Sequence, residues 1–199
     1  AARLPMGVYD IIVFNRSFND FSNIAFRGNS YETLEAYARK VETRVDKKTR
    51  VETRTIISSP DELAAATLKG FTVTEDMLGN YSQTTYGRTA PSRSSEETPD
   101  GLYHLHFVPK KLTREVSAVL HIEGLNNIRS ATCRLGGVAE SIFLATGKTS
   151  ANTVTQEFTP SNPEFSPGSP FNGTLSCEFE IFGLNVNDNN NLHLDALLV

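Results

Sequence analysis

Apolar and polar residues alternate in short runs between Arg114 and Phe158. Alternation with a period of two places one set of side chains on a buried face and the other set in water, as in β-strands. The runs are broken at Gly124-Leu125-Asn126-Asn127, at Gly136-Gly137 and at Gly147-Lys148-Thr149, and no helical run lies between them. Short strands separated by glycine and asparagine predict antiparallel strands joined by turns, so this segment is expected to form a β-sandwich.

The same pattern predicts strands in the rest of the chain. Gly7 to Asn15 is rich in β-branched and aromatic residues, follows Pro5, and ends at an asparagine, all of which favour a strand. The mixed charges between Arg39 and Arg54 indicate a solvated strand face. The other predicted strands are 41–45, 51–57, 71–74, 102–108, 115–123, 128–135, 141–145, 153–158, 174–184 and 192–199.

Two segments in the first half predict short helices. Ser59-Pro60-Asp61-Glu62 has the sequence of a capping box with proline at the first helical position, and this helix is expected to run through Leu68 and end at Gly70. Residues 30–38 fit a second short helix with Ser30 as its N-cap.

The chain is long enough for two domains of about 100 residues each. Residues 81–101 contain serine, threonine, glycine, proline and charge with almost no aliphatic residue, which predicts a long loop or a linker. We place the domain boundary near Pro109, giving domains of 1–109 and 110–199, with 91–99 as the competing position. Residues 162–173, rich in proline and glycine, are expected to form a loop within the second domain.

Composition excludes some classes of partner. The chain has 19 basic and 23 acidic residues, a net charge of −4, which argues against nucleic acid as the main partner. It has no transmembrane run and no signal-peptide pattern at its start.

Cys133 and Cys177 are the only two cysteines, and neither belongs to a C-x-x-C metal motif. Each alternates in phase with apolar neighbours, so both are expected to point into the same core. Buried thiols and one buried disulfide both fit this pattern, and free thiols are favoured because cysteine is common in cores as a small apolar residue.

Three short segments resemble ligand-binding motifs but lack their essential parts. Gly147-Lys148-Thr149 imitates the end of a P-loop, but the glycine that the motif requires five positions earlier is Ile142, so a hairpin turn is predicted. His104 and His106 lie on the same side of a predicted strand without the further ligands that a metal site needs. The Asn-rich segment 185–191 lacks the glycine and glutamate of an EF-hand and predicts a turn.

No local pattern of a catalytic triad or dyad is present. A nucleophile needs a base within hydrogen-bonding distance and a third group that orients the base. The four histidines, His104, His106, His121 and His193, all lie in predicted strands. The sequence therefore predicts a protein that is not an enzyme and has no cofactor.

Several phrases resemble the fimbrillin-type surface proteins of Bacteroidota, and within them the fimbrial anchor and minor-subunit lipoproteins. They keep the family's order and cover most of the chain, although none is a catalytic signature. The phrases are LPMGVYDIIVFN (4–15), SPDEL (59–63), FTVT (71–74), LTREV (112–116), GLNNI (124–128) and LGGVAES (135–141).

The resemblance implies two tandem transthyretin-like Greek-key β-sandwiches in an exported protein of the outer membrane. It also implies a lipid anchor on a cysteine near the start of the protein. Cys133 and Cys177 lie inside predicted strands, so the resemblance places that cysteine before Ala1.

The resemblance further implies assembly with other fimbrial subunits by β-strand addition, in which an extended segment of a neighbour pairs with an open sheet edge. The second domain is the expected acceptor. The residues expected to contact the added strand are Val116, Ala118, Leu120, Ile122, Leu175, Phe179 and Ile181.

Two functions from different classes follow. The first is a fimbrial anchor or accessory subunit that supports adhesion, with a host or glycan receptor as a further partner. The alternative is a surface glycan-binding β-sandwich module, in which aromatic side chains stack on sugars, although the absence of tryptophan weakens it. The aromatic residues considered for that role are Phe18, Phe21, Phe26, Tyr81 and Tyr86.

Overall fold

The computed structural model describes residues 4–41, 55–75, 77, 104–188 and 190–199. Strands make up 54% of these residues and helical turns 5%, which confirms the predicted mainly-β class. The strands are β1 (Gly7–Phe14), β2 (Ile24–Arg27), β3 (Glu35–Ala38), β4 (Ile56–Ile57), β5 (Ala64–Val73), β6 (Lys110–Lys111), β7 (Arg114–Ile122), β8 (Ile128–Ala139), β9 (Ser141–Phe143), β10 (Thr153–Phe158), β11 (Asn162–Phe165), β12 (Gly173–Ile181) and β13 (Leu192–Leu198). Two short 3-10 turns cover Phe18–Asp20 and Leu125–Asn127.

The described strands form four sheets. Their strand orders are β1-β5-β6, β2-β3-β9, β13-β8-β10-β4 and β11-β12-β7, and we name them the β1, β3, β8 and β12 sheets. All strand pairs are antiparallel except β4 with β10. The β8 and β12 sheets face each other across a core in which Cys133 and Phe158 of one sheet pack with Phe179 and Ile181 of the other.

Three of the sheets contain strands from both sides of the predicted boundary at Pro109. β3 pairs with β9, β4 with β10, and β5 with β6. The main hydrophobic core likewise joins Ile24 and Ile57 to Val138 and Phe182. The division into 1–109 and 110–199 stays a prediction, and hydrogen bonds and core packing cross it.

The helix predicted from Ser59 to Leu68 is wrong. Residues Ala64–Val73 form β5, which pairs with β1 along most of its length. The hydroxyl of Ser59 does not cap a helix, because it accepts a hydrogen bond from the Glu180 N–H at 2.9 Å. Pairing with a neighbouring strand outweighs the intrinsic helix preference of the alanines, since propensities are smaller than the effects of tertiary context.

The helix predicted over 30–38 is also wrong. The Leu34 N–H donates to the Ser30 carbonyl, which closes a single turn, and Glu35–Ala38 then forms β3 between β2 and β9. Ala36 and Ala38 are buried while Glu35 and Tyr37 are half-buried, which is the period of a strand. No helix of seven or more residues occurs in the described part of the chain.

Most predicted strands of the second half are confirmed, with shifted ends. Gly136-Gly137 is not a turn, because β8 continues through it to Ala139. The register of β8 against β10 shifts at these glycines, as in a β-bulge. The segment predicted as a loop over 162–173 begins with β11. Residues 104–108, predicted as the end of a strand, lie outside any strand.

Some predictions fall on residues that the structure does not describe. These are most of the strand 41–45, the first four residues of the strand 51–57, the loop over 81–101, and the first two residues of the strand 102–108. No helix among the described residues is long and apolar enough to cross a membrane.

Candidate functional site

The seven residues predicted to contact an added strand lie on one face of the β12 sheet. β7 and β12 pair antiparallel over their full lengths, and cross-strand partners point to the same face of a sheet. Val116 is opposite Phe179, and Leu120 is opposite Leu175. The period of two therefore places Ala118, Ile122 and Ile181 on this inner face as well.

Burial of this inner face decreases from β12 to β7. Leu175, Phe179 and Ile181 of β12 are buried. The inner residues of β7, which include Val116 and Leu120, are only half-buried although they pack against the core. The inner face of the sheet is therefore incompletely covered along β7.

β7 is also the longer and less protected edge of its sheet. Among the described strands it pairs only with β12, so the main-chain N–H and C=O groups on its other side have no strand partner. The opposite edge, β11, has four residues and contains Pro163, which has no N–H to offer. β7 has nine residues and no proline. Among the described strands, β7 is therefore the edge of its sheet with the longer run of unpaired main-chain groups.

The β8 sheet shows the same decrease in burial toward its own edge strand. Ala131 and Cys133 of β8 are buried, and their cross-strand partners on β13 are Ala196 and Leu194. All seven residues of β13 are exposed. Leu194 is 38% exposed although it faces the same side as the fully buried Cys133. The sequence predicted a strand at 192–199, but it did not indicate that the inward-facing Leu192 and Leu194 are exposed.

Both cysteines are free thiols that belong to the core between the two sheets. Burial raises the pKa of the Cys133 thiol above its ordinary value, and the nearby Cys177 raises it further. Burial also raises the pKa of Cys177. Neither sulfur is therefore activated as a nucleophile or metal ligand at neutral pH.

The structure brings together no group of three or more potential metal ligands within the residues it describes. His104 and His106 are exposed and lie outside any strand, so they do not share the strand face that was predicted. Gly147 lies in the predicted turn, where its N–H donates to the Phe143 carbonyl at 2.7 Å. In the Asn-rich segment, the Asn187 N–H donates to the Asn185 side chain, which confirms a turn there.

The aromatic residues considered for glycan binding divide into two groups. Phe18, Phe21 and Phe26 pack with Phe14 in one cluster, with ring centroids 4.6 to 6.2 Å apart. Phe21 is buried and Phe26 half-buried, so their rings stabilise the core. Only Phe18 of the three is exposed. Tyr81 and Tyr86 lie outside the described residues.

Comparison with known proteins identifies the family. Residues 1–159 match the family described as Domain of unknown function (DUF5119), and the chain belongs to that family. No curated protein matches the sequence.

One solved structure with a similar fold comes from Bacteroides ovatus and is described as "a putative adhesin". It shares 18% sequence identity with this chain and superposes with a TM-score of 0.58. The alignment covers 94% of this chain and 52% of the other, so the chain spans about half the length of that protein. At this identity the likeness establishes the fold.

Proposed function

We propose that the protein is a non-enzymatic cell-surface protein that supports adhesion, and that it acts as an anchor or accessory subunit of a fimbrium at the outer membrane. The fold shared with the Bacteroides ovatus protein and the fimbrillin-like phrases of the sequence both support this proposal. The resemblance of these phrases also supports a lipid anchor that holds the protein at the outer membrane.

The subunit associates with other fimbrial subunits by strand addition at β7. The observation that supports this mechanism most strongly is the combination of a nine-residue edge that has no strand partner among the described residues and an inner face that is only half-buried. A strand added there gains main-chain hydrogen bonds and covers apolar side chains in the same step.

Cells that produce the protein provide the test of the role. Surface-exposed protein in intact cells, loss of adherence on deletion of the gene, and co-purification of fimbrial subunits with the native protein are the expected results. A protein that stays inside the cell, or a deletion that leaves both adherence and fimbriae unchanged, contradicts the proposal.

A pair of variants on β7 tests the mechanism. Leu120→Asp places a charge on the inner face, and Val119→Asp places the same charge on the outer face, where Val119 is 54% exposed. We expect Leu120→Asp to abolish co-purification of the subunits and Val119→Asp to retain it. Thermal unfolding of both variants identifies any loss that is due to misfolding, and equal effects in two folded variants argue against strand addition at this edge.

The alternative function, a glycan-binding module, predicts a different result. Clear binding of the purified protein to a glycan array, weakened by Phe18→Ala, would favour it. Phe18 is the residue to change because it is the exposed member of the phenylalanine cluster.

A further inference from the structure

We propose that a polar groove on the outer face of the β12 sheet binds a neutral saccharide. The groove lies where the chain crosses from β10 to β11, and its cavity volume of about 410 Å³ is within the range of ligand pockets. This inference rests on the proposed function, because it names the class of receptor that the protein would contact. We call the cavity the crossover groove and define it by the polar residues that line it, Ser117, Thr159, Ser161, Asn162, Ser176 and Glu178.

One wall of the crossover groove is the connection between the two facing sheets, residues 159–161. Pro160 is buried, whereas Thr159 and Ser161 on either side of it are exposed. The Ser161 N–H donates to the Ser176 carbonyl of β12 at 3.3 Å. Because the proline ring restricts the backbone and the hydrogen bond joins the connection to β12, this wall is held in place before a ligand arrives.

The opposite wall is formed by paired residues of β7 and β12. Ser117 is opposite Glu178, and both are exposed. Phe179, the next residue of β12, faces the core, so the period of two places Glu178 and its partner on the outer face. Ser176 lies on the same face and pairs with Asn162 of β11. Three neighbouring strands therefore bring hydroxyl, amide and carboxylate groups to one groove.

The polar side chains of the crossover groove are free to bind a ligand. Within the part of the chain that the structure describes, none of them makes a side-chain hydrogen bond or an ion pair. Glu180 provides a contrast, since it lies two residues beyond Glu178 on β12 and pairs with Lys111 at 2.6 Å. A ligand in the groove therefore replaces water with its own hydrogen bonds and breaks no contact within the described protein.

The chemistry of the lining excludes several classes of ligand. The described lining contains no lysine, arginine or histidine to bind a phosphate or sulfate group. Its single carboxylate, Glu178, is too few charged ligands for a divalent cation. It also contains no aromatic ring on which a nucleobase could stack. A neutral ligand rich in hydrogen-bonding groups remains.

A saccharide has the matching chemistry. Hydroxyl and amide groups both donate and accept hydrogen bonds, as the hydroxyls of a sugar do, and the Glu178 carboxylate can accept from two of them. Val119, the cross-strand partner of Ser176, is 54% exposed beside the groove. Its methyl groups offer an apolar contact to the C–H groups of a sugar ring, so the surface has both kinds of contact that a pyranose needs.

Binding of saccharides to the purified protein tests this inference. The probes are a glycan array and then soluble neutral oligosaccharides of glucose, galactose or mannose, each compared with its sulfated form by titration calorimetry. We expect at least one neutral oligosaccharide to bind. Its sulfated form is expected to bind at least about threefold more weakly, because the groove has a carboxylate and no cation to pair with the sulfate.

A matched pair of carboxylate variants locates the site. Glu178→Gln removes the charge of the groove without changing the size of the side chain. Glu164→Gln makes the same change on β11, where Glu164 is exposed on the same outer face opposite Thr174 but does not line the groove. We expect about a tenfold loss of affinity in Glu178→Gln, because hydrogen bonds to a charged acceptor are the stronger ones, and less than about a twofold change in Glu164→Gln.

A second pair tests whether the groove itself is occupied. Ser117→Arg places a long side chain in the groove, and His121→Arg places the same side chain further along the exposed outer face of β7, outside the groove. We expect Ser117→Arg to lose at least about tenfold in affinity and His121→Arg to retain binding. Thermal unfolding of all four variants identifies any loss that is due to misfolding.

The inference is overturned if no neutral saccharide binds, or if both members of each pair weaken binding equally. Binding that is lost in Phe18→Ala and kept in Ser117→Arg would also overturn it, since the sugar would then lie on the phenylalanine cluster. Failure of the proposed function gives a different result. Adherence that depends on the gene, in a protein that binds no neutral saccharide, leaves the proposed function standing and overturns only the inference. Saccharide binding in the crossover groove, with adherence and fimbriae unchanged on deletion, supports the site and contradicts the proposed function.

Discussion

Phe158 of β10 and Phe179 of β12 stack with their ring centroids 4.2 Å apart and their planes inclined by 20°. The pair joins the two facing sheets at the centre of the core. Beside it, the side-chain amide of the fully buried Gln156 donates to the Glu180 carbonyl at 3.0 Å. Side chains are therefore well buried here, and their burial decreases toward the edge strands β7 and β13.

Replacing Phe179 with alanine is expected to lower the free energy of unfolding by about 3–5 kcal/mol, because it removes a buried ring and leaves a cavity beside Phe158. Chemical denaturation of the purified protein measures the change. Phe165→Ala provides the control, since Phe165 is 52% exposed on β11 and its loss is expected to cost less than about 0.5 kcal/mol. Equal losses in the two variants would show that the stacked pair is not the centre of the core.

Gly173→Ala is expected to destabilise the protein by about 1–3 kcal/mol through overpacking. A β-carbon at this position would lie 2.2 Å from the Glu164 carbonyl oxygen and 2.7 Å from a methyl group of Leu125. The backbone of β11 must move to admit it.

The control for this substitution is Gly7→Ala, whose added β-carbon meets only ordinary contacts at 3.6 Å or more. Hydrogen exchange should show faster exchange of β11 amides in Gly173→Ala and no change there in Gly7→Ala. An unchanged β11 would argue against the close approach of the two strands.

The strands of the second half could be predicted because they follow the period of two and end at glycine or asparagine. The inner face that contains Leu120 and Leu175 could be predicted for the same reason. The strand that follows Ser59-Pro60-Asp61-Glu62 could not be predicted, because these four residues satisfy the local rules for a helix start. In the structure their side chains bond instead to distant groups, as the Asp61 carboxylate does when it accepts the Asn23 N–H at 2.7 Å. Such partners are set by topology.

The open edge could be predicted only in part. The alternation of Leu192, Leu194 and Ala196 indicates a strand with an inner face, but burial depends on which strand lies opposite. Nothing local in the sequence says that β13 pairs with β8, or that β7 is the edge of its sheet among the described strands. Strand order in a sheet is a property of the whole fold, and it determines which apolar residues remain exposed.

Glu35 is expected to make stability depend on pH in the acidic range. Burial raises the pKa of Glu35, but hydrogen bonds from Arg27 and Ser141 and the charge of Arg27 lower it more, so its pKa lies below its ordinary value of 4.5. The Ser141 hydroxyl donates to the carboxylate at 2.6 Å. A carboxylate with a lowered pKa contributes stability that is fully present above its unfolded pKa and is lost as the pH falls through its folded pKa.

The measurement is the unfolding temperature of wild type and Glu35→Gln between about pH 7 and pH 2. We expect the variant to be less stable at pH 7 and the difference to shrink as the pH falls below 4.5. Glu32→Gln is the control, since Glu32 pairs with Lys69 on the exposed surface, where ion pairs contribute little. A difference between wild type and Glu35→Gln that stays constant with pH would show that the carboxylate is not stabilised by its charge.

The two thiols are expected to differ in reactivity toward a soluble disulfide reagent at pH 8. Only the thiolate reacts, and burial raises the pKa of both cysteines, so both react more slowly than an exposed cysteine. Cys133 is fully buried in the centre of β8, whereas Cys177 is partly accessible on β12. Cys177 should therefore react first, and Cys133 should react only when the sandwich opens.

The variants Cys177→Ser and Cys133→Ser assign the fast and slow phases of the reaction. The reaction of each variant with the reagent is followed by absorbance, with and without denaturant. Rapid reaction of Cys133 in the folded Cys177→Ser variant would mean that the core opens from the β13 edge, since Leu194 of β13 is the cross-strand neighbour of Cys133.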